Sequence, residues 1–207
     1  MPLLNFTKLG PLSDSQNLCW RHVTNAWADH LDGYIRHHRA HDPFPFAYGE
    51  QALVSQLAVG VARAAQDNAV MCEFGTGEGN NRADAWFVVG GEFYLLEAKR
   101  LELGQNSNKG WLDDVPDALH AAFVQAGRYK QGPDWLAACV FLIPRIPARR
   151  NDRAAEVMAG VVETPVGLGA GVRGFRADFV ISREHVQRDE AVERFAGATM
   201  IVAFRQP

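Results

Sequence analysis

Arg82-Ala83-Asp84-Ala85-Trp86-Phe87-Val88-Val89, then Gly90-Gly91, then Glu92-Phe93-Tyr94-Leu95-Leu96-Glu97-Ala98-Lys99-Arg100 reads as two strands joined by a two-residue turn. Both glycines can take positive φ, which a tight hairpin turn requires. With Val89 opposite Glu92, the register sets Asp84 opposite Glu97 and Arg82 opposite Lys99. Opposed residues in an antiparallel pair share a face, and neighbours along a strand alternate faces. Glu97 and Lys99 therefore lie on the face of Asp84, while Ala98 points away. Trp86, Val88, Phe93 and Leu95 occupy that same face, and Ala85, Phe87, Tyr94 and Leu96 the other. A hairpin apolar on both faces belongs inside a sheet covered by helices.

Upstream, apolar residues at helical spacing predict a helix from about Ser13 to Arg39 and another from about Tyr48 to Ala65. Asp42-Pro43-Phe44-Pro45 separates them. Ala69–Phe74 reads as a strand and the glycine-rich run from Gly75 to Asn81 as a loop. Downstream, Asp114 caps a helix expected from Pro116 to Lys130, followed by a strand over Ala137–Ile143. A helix near Asp152–Val161, a loop over Gly167–Gly174 and strands over Ala177–Ser182 and Met200–Phe204 complete the chain. The order ααβββαβαββ predicts an α/β fold, a mixed central sheet flanked by helices. Residues 1–45 form an N-terminal helical extension in this reading, and 46–207 the α/β domain.

Hydrophobic residues make up 47% of the 207, enough for a sizeable core. No apolar run reaches the roughly 20 residues of a membrane span, so no membrane partner is expected. The N-terminus lacks the basic and apolar regions of a signal peptide. Cys19, Cys72 and Cys139 are scattered, which argues against a zinc cluster or a disulfide framework. The expectation is a cytoplasmic protein. A net charge of −3 argues against a general nucleic-acid coating protein but allows a local basic stripe. Arg145, Arg149, Arg150 and Arg153 form the one basic cluster and are candidate contacts to a phosphate backbone; a charged surface turn is the alternative.

Two carboxylates facing each other within a sheet repel and lose hydration. A hard divalent cation such as Mg2+ or Mn2+ offsets both costs, since it prefers oxygen ligands. Asp84 and Glu97 are thus candidate metal ligands, and Lys99 a candidate to position a metal-bound water. Such a set suits phosphodiester hydrolysis. The competing reading is a plain ion-pair cluster, with Arg82, Lys99 and Arg100 neutralising the acids.

Asp84, followed by Glu97-Ala98-Lys99 behind the strand Phe93–Leu96, resembles the PD-(D/E)xK nuclease superfamily. The segment from Tyr48 to Ile143, about half the chain, reproduces that family's αβββαβ core in order. The resemblance implies a restriction-endonuclease-like fold and a Mg2+- or Mn2+-dependent endonuclease acting on nucleic acid, with DNA as the expected substrate. It implies metal ligation by Asp84, Glu97 and the Ala98 carbonyl, with Lys99 catalytic. The family often adds an acid from the preceding helix, which Glu50 matches; its alternative role is a first-turn acid favoured by the helix dipole. Gln125 and Tyr129 resemble the QxxxY element of the RecB-like branch, which contacts nucleic acid; a surface glutamine and a half-buried tyrosine are the alternative. Ala83 stands where the motif has proline. Many enzymes that cut both strands are homodimers, so a dimer is compatible.

Two other readings stay open. Glu73-Phe74-Gly75-Thr76-Gly77-Glu78-Gly79 resembles the loop of S-adenosylmethionine methyltransferases, with Glu97 recast as a ribose ligand. That reading needs a helix immediately after the loop, where the sequence favours strand. The acidic balance suits a non-catalytic binding protein that keeps the nuclease fold. His37 and His41 are spaced as ligands on one helix face, but a solvated face explains them as well.

Overall fold

Leu3–Leu9 forms a strand, β1, within the stretch expected to be a helical extension. The computed structural model describes residues 3–37, 49–75, 82–103, 111–129, 132–144, 146–147, 153–169, 171–181, 187–188, 193–195 and 197–207. After β1 come the helices α1 (Asp14–His37) and α2 (Glu50–Ala64) and the strands β2 (Ala69–Gly75), β3 (Arg82–Val89) and β4 (Glu92–Leu103). Helix α3 (Trp111–Ala126) leads to β5 (Trp135–Pro144) and β6 (Ile146–Pro147), then to α4 (Arg153–Glu163). Strands β7 (Arg173–Val180), β8 (Gln187–Arg188), β9 (Glu193–Phe195) and β10 (Gly197–Arg205) follow.

A seven-stranded mixed sheet runs β1-β7-β10-β5-β4-β3-β2, and β6-β9-β8 form a small second sheet. Strands β4 and β5 are parallel, with α3 between them in the chain. The other neighbours in the large sheet pair antiparallel. Gly90 and Gly91 take φ of 59° and 79°, as the tight β3–β4 turn requires. Phe74 pairs with Ala83 and Gly75 with Arg82, so β2 and β3 form a second hairpin. A methyltransferase loop would instead lead from its strand into a helix.

Helices α1 and α2 cover one face of the sheet. Trp20 lies at the centre of that layer, with ring centroids of Tyr94, Phe175 and Phe204 5.2–5.3 Å away. On the other face, Val115, Leu119, Ala122 and Phe123 of α3 pack with Leu95, Leu136 and Ile201. The residues of the expected N-terminal extension thus share the sheet and core with the rest: β1 pairs with β7, and Trp20, Val23, Trp27 and Leu31 of α1 are buried. Helix α3 starts earlier than expected and includes Pro116, because Val115 continues the buried stripe of Leu119 and Ala122. Strand β4 extends past Arg100 because β5 accompanies it to Leu103. Among the described residues, no helix is long and apolar enough to cross a membrane.

Where α1 crosses α2, a Cβ on Gly60 would sit 2.8 Å from the Trp27 Cβ. This close approach seats α2, and with it Glu50. Gly60→Ala should therefore destabilise the fold by about 1–3 kcal/mol, the usual range for overpacking. Urea unfolding followed by tryptophan fluorescence measures this; an unchanged midpoint would show that the crossing can relax.

Candidate active site

Strands β3 and β4 pair from Val89–Glu92 to Ala85–Leu96, and there their ladder ends. Beyond that point β3 stays with β2 as far as Arg82, while β4 stays with β5 as far as Leu103. The sheet forks. Asp84 and Glu97 have the expected register but stand just past the last paired residues, as do Arg82 and Lys99. The expected cross-strand pairs of Asp84 with Glu97 and Arg82 with Lys99 are therefore absent from the ladder.

A parted strand leaves backbone N–H groups that need acceptors. Carboxylates supply them. Asp84 Oδ2 accepts from the Ala98 N–H at 2.8 Å, and Glu50 Oε2 accepts from the Arg100 N–H at 2.9 Å. Ala98 and Arg100 are two apart on β4, so both N–H groups leave the same edge of the strand. The Ala98 carbonyl leaves by that edge too, since N–H and C=O of one strand residue point the same way. Helix α2 and the two strands of the hairpin, β3 and β4, meet at this opening.

On the α3 side, Glu97 is fully buried. The Tyr129 hydroxyl lies 2.7 Å from Glu97 Oε1 and 2.7 Å from the Arg82 carbonyl oxygen. Lys99 Nζ donates to Gln125 Oε1 at 3.2 Å and stands 3.9 Å from Glu50 Oε1. Burial pushes the Glu97 carboxyl up to about 8; the Tyr129 hydrogen bond opposes the shift and the Asp84 charge adds to it. Burial also raises Glu50, with Lys99 opposing and Asp84 reinforcing. The Tyr129 phenol is raised by burial and by its bond to Glu97. A hydroxyl carries one hydrogen, so Tyr129 can donate to only one of its two close oxygens.

The tripeptide Arg-Ala-Asp occurs again at residues 176–178, with a different outcome. Arg176 Nε donates to Asp178 Oδ1 at 2.8 Å, and Thr199 Oγ1 donates to the same oxygen at 2.6 Å. That pair is buried and closed on itself. At the fork, by contrast, Glu97 Oε2 is buried without a hydrogen-bond partner. A cavity of about 180 Å³ opens beside Asp84, lined by Gln51, Val54, Ser55 and Cys72. Sequence reading did not mark these four, since a helix face and a strand edge carry no local signal of the space between them.

The structure thus brings Glu50, Asp84, Glu97, Ala98, Lys99, Gln125 and Tyr129 together. Gln125 and Tyr129, expected to contact nucleic acid, hydrogen-bond Lys99 and Glu97. Arg145, Arg149 and Arg150 lie outside the described residues, as do His38, His41 and residues 76–81. Among the described residues, no three His, Cys, Asp or Glu side chains form a ready-made metal cluster. Here Asp84 and Glu50 are engaged by backbone N–H groups and Glu97 by Tyr129. The donors still suit a hard cation: all are oxygens, and Glu97 Oε2 is a buried acceptor lacking a donor. No family model matches this chain, and neither a curated protein nor a solved structure matches it.

Glu97 makes metal-free stability depend on pH. Its folded value, about 8, lies above the ordinary 4.5, so between these limits unfolding releases its proton. Stability should fall as pH rises through that window and level off above it; the raised Glu50 acts in the same direction. Glu97→Gln should flatten this slope and exceed wild type in stability at pH 8. Melting curves in EDTA from pH 5 to pH 8.5 test this, and parallel slopes for the two proteins would contradict it.

Proposed function

We propose that this chain is a Mg2+- or Mn2+-dependent nuclease of the PD-(D/E)xK kind, hydrolysing phosphodiester bonds of nucleic acid, with DNA as the expected substrate. The observation that carries the reading is the convergence of Asp84, Glu97 and Lys99 with Glu50 where β3 leaves β4. In this reading α2, β2, β3, β4, α3 and β5 are the αβββαβ core of a restriction-endonuclease-like fold. Asp84, Glu97 and the Ala98 carbonyl would hold the cation. Glu50, engaged by Lys99 and the Arg100 N–H, steadies the lysine and adds negative charge nearby.

The cation, when bound, supplies charge neutralisation at the scissile phosphate and makes a water more acidic. Lys99 does the rest at close range. Its ammonium, held between Gln125 and Glu50, presents donors to the attacking water and to a phosphate oxygen. The buried wall formed by Glu97, Tyr129 and Leu95 excludes bulk water from one side of the opening, which strengthens these interactions. The cofactor-dependent methyltransferase alternative loses ground, because β2 enters a hairpin where that chemistry needs a helix.

Single- and double-stranded DNA and RNA, incubated with the protein and Mg2+ or Mn2+, test the reading. At least one substrate should be cut, and EDTA should stop the reaction. Asp84→Ala, Glu97→Ala and Lys99→Ala should each lower the rate by at least about 100-fold. Cleavage of none of the four substrates, or undiminished cleavage by the three variants, would refute the proposal.

A further inference from the structure

Gln125 and Tyr129 differ from the other site residues in where they come from. Gln125 lies in the last turn of α3, and Tyr129 in the tight turn that follows, where the Tyr129 N–H donates to the Ala126 carbonyl at 3.3 Å. One helical turn rises about 5.4 Å. Two residues of strand rise about 6.6 Å. Side chains about one turn apart, one in the last turn of α3 and one just past its end, can therefore address two β4 residues on the same face. They do: Gln125 meets Lys99, and Tyr129 meets Glu97. The order is inverted, as the chain reversal between β4 and α3 requires.

Both side chains are engaged within the site. The Tyr129 side chain is only 9% exposed, and its hydroxyl is taken up by Glu97 and by the Arg82 carbonyl. The Gln125 amide oxygen is taken up by Lys99. Tyr129 also ties the end of β3 to β4 across the fork, through Arg82 on one side and Glu97 on the other. Its bond fixes Glu97 Oε1, and so fixes the direction of the partnerless Oε2.

We propose that Gln125 and Tyr129 are positioning residues and not substrate contacts: Tyr129 aims the Glu97 carboxylate at the cation, and Gln125 aims Lys99 at the reacting phosphate. This rests on the nuclease reading of the same site. The two residues have different signatures. Outer partners of metal ligands typically change metal affinity or activity 10- to 100-fold when removed. Tyr129 bonds a ligand directly, whereas Gln125 touches Tyr129 and Lys99, so Tyr129 should govern metal affinity.

The test is calorimetric titration of Mn2+ into wild type, Tyr129→Phe and Gln125→Met, with melting curves in EDTA to establish that each variant is folded. Tyr129→Phe should bind Mn2+ roughly ten-fold or more weakly. Gln125→Met, which keeps the length of the side chain without its acceptor, should bind Mn2+ as wild type does. Its turnover of a fluorescein-labelled DNA oligonucleotide in Mg2+ should fall roughly ten-fold with KM unchanged. Wild-type Mn2+ affinity in Tyr129→Phe, or a KM that rises in Gln125→Met without loss of kcat, would overturn the positioning roles. If wild type itself binds no Mn2+, the nuclease reading fails first, and the inference fails with it.

Discussion

The separation of β3 from β4 after the Ala85–Leu96 pair is the constraint on which the site depends. An antiparallel hairpin with alternating apolar faces would ordinarily continue its ladder, because each lost backbone hydrogen bond in a buried sheet is costly. Here the lost bonds are replaced. Asp84 and Glu50 accept the N–H groups of Ala98 and Arg100, so carboxylates take the place of a neighbouring strand. The same substitution that lets the sheet open also lines the opening with negative charge. Position and chemistry therefore come from one feature.

That arrangement concentrates cost at Glu97. A buried carboxylate loses hydration, and its Asp84 neighbour repels it, so the carboxyl is raised to about 8. Tyr129 and Lys99 offset part of this, yet one oxygen stays without a partner. A purely structural ion pair would be expected to close up, as Arg176 and Asp178 do around Thr199. The fork keeps a buried oxygen without a donor and a carboxyl of raised pKa, the kind of group that marks a candidate functional site.

Much of this was legible in the sequence, for identifiable reasons. The Gly90-Gly91 turn fixes the register by itself, and the ladder keeps that register from Val89–Glu92 to Ala85–Leu96, stopping just short of Asp84 and Glu97. Helical spacing placed Glu50 on α2; Gln125 and Tyr129 were read as one turn apart on a single helix, but α3 ends at Ala126 and Tyr129 lies in the turn after it. The fork was not legible, since alternation gives the facing of residues but not where two strands part. The targets of Gln125 and Tyr129 were hidden too, because they depend on how α3 lies against β4. Strand β1 escaped notice for a related reason: its strand partner among the described residues, β7, is far along the chain, and β propensity means little without a partner.

The central claim is that the fork is a cation site. Anomalous diffraction from crystals grown with Mn2+ examines it most directly. An occupied site gives an anomalous peak at bonding distance from the carboxylates of Asp84 and Glu97 and from the Ala98 carbonyl. A fork without a peak at saturating Mn2+, with Asp84 still on the Ala98 N–H and Glu97 still on Tyr129, would contradict it and leave these carboxylates as caps for a parted strand.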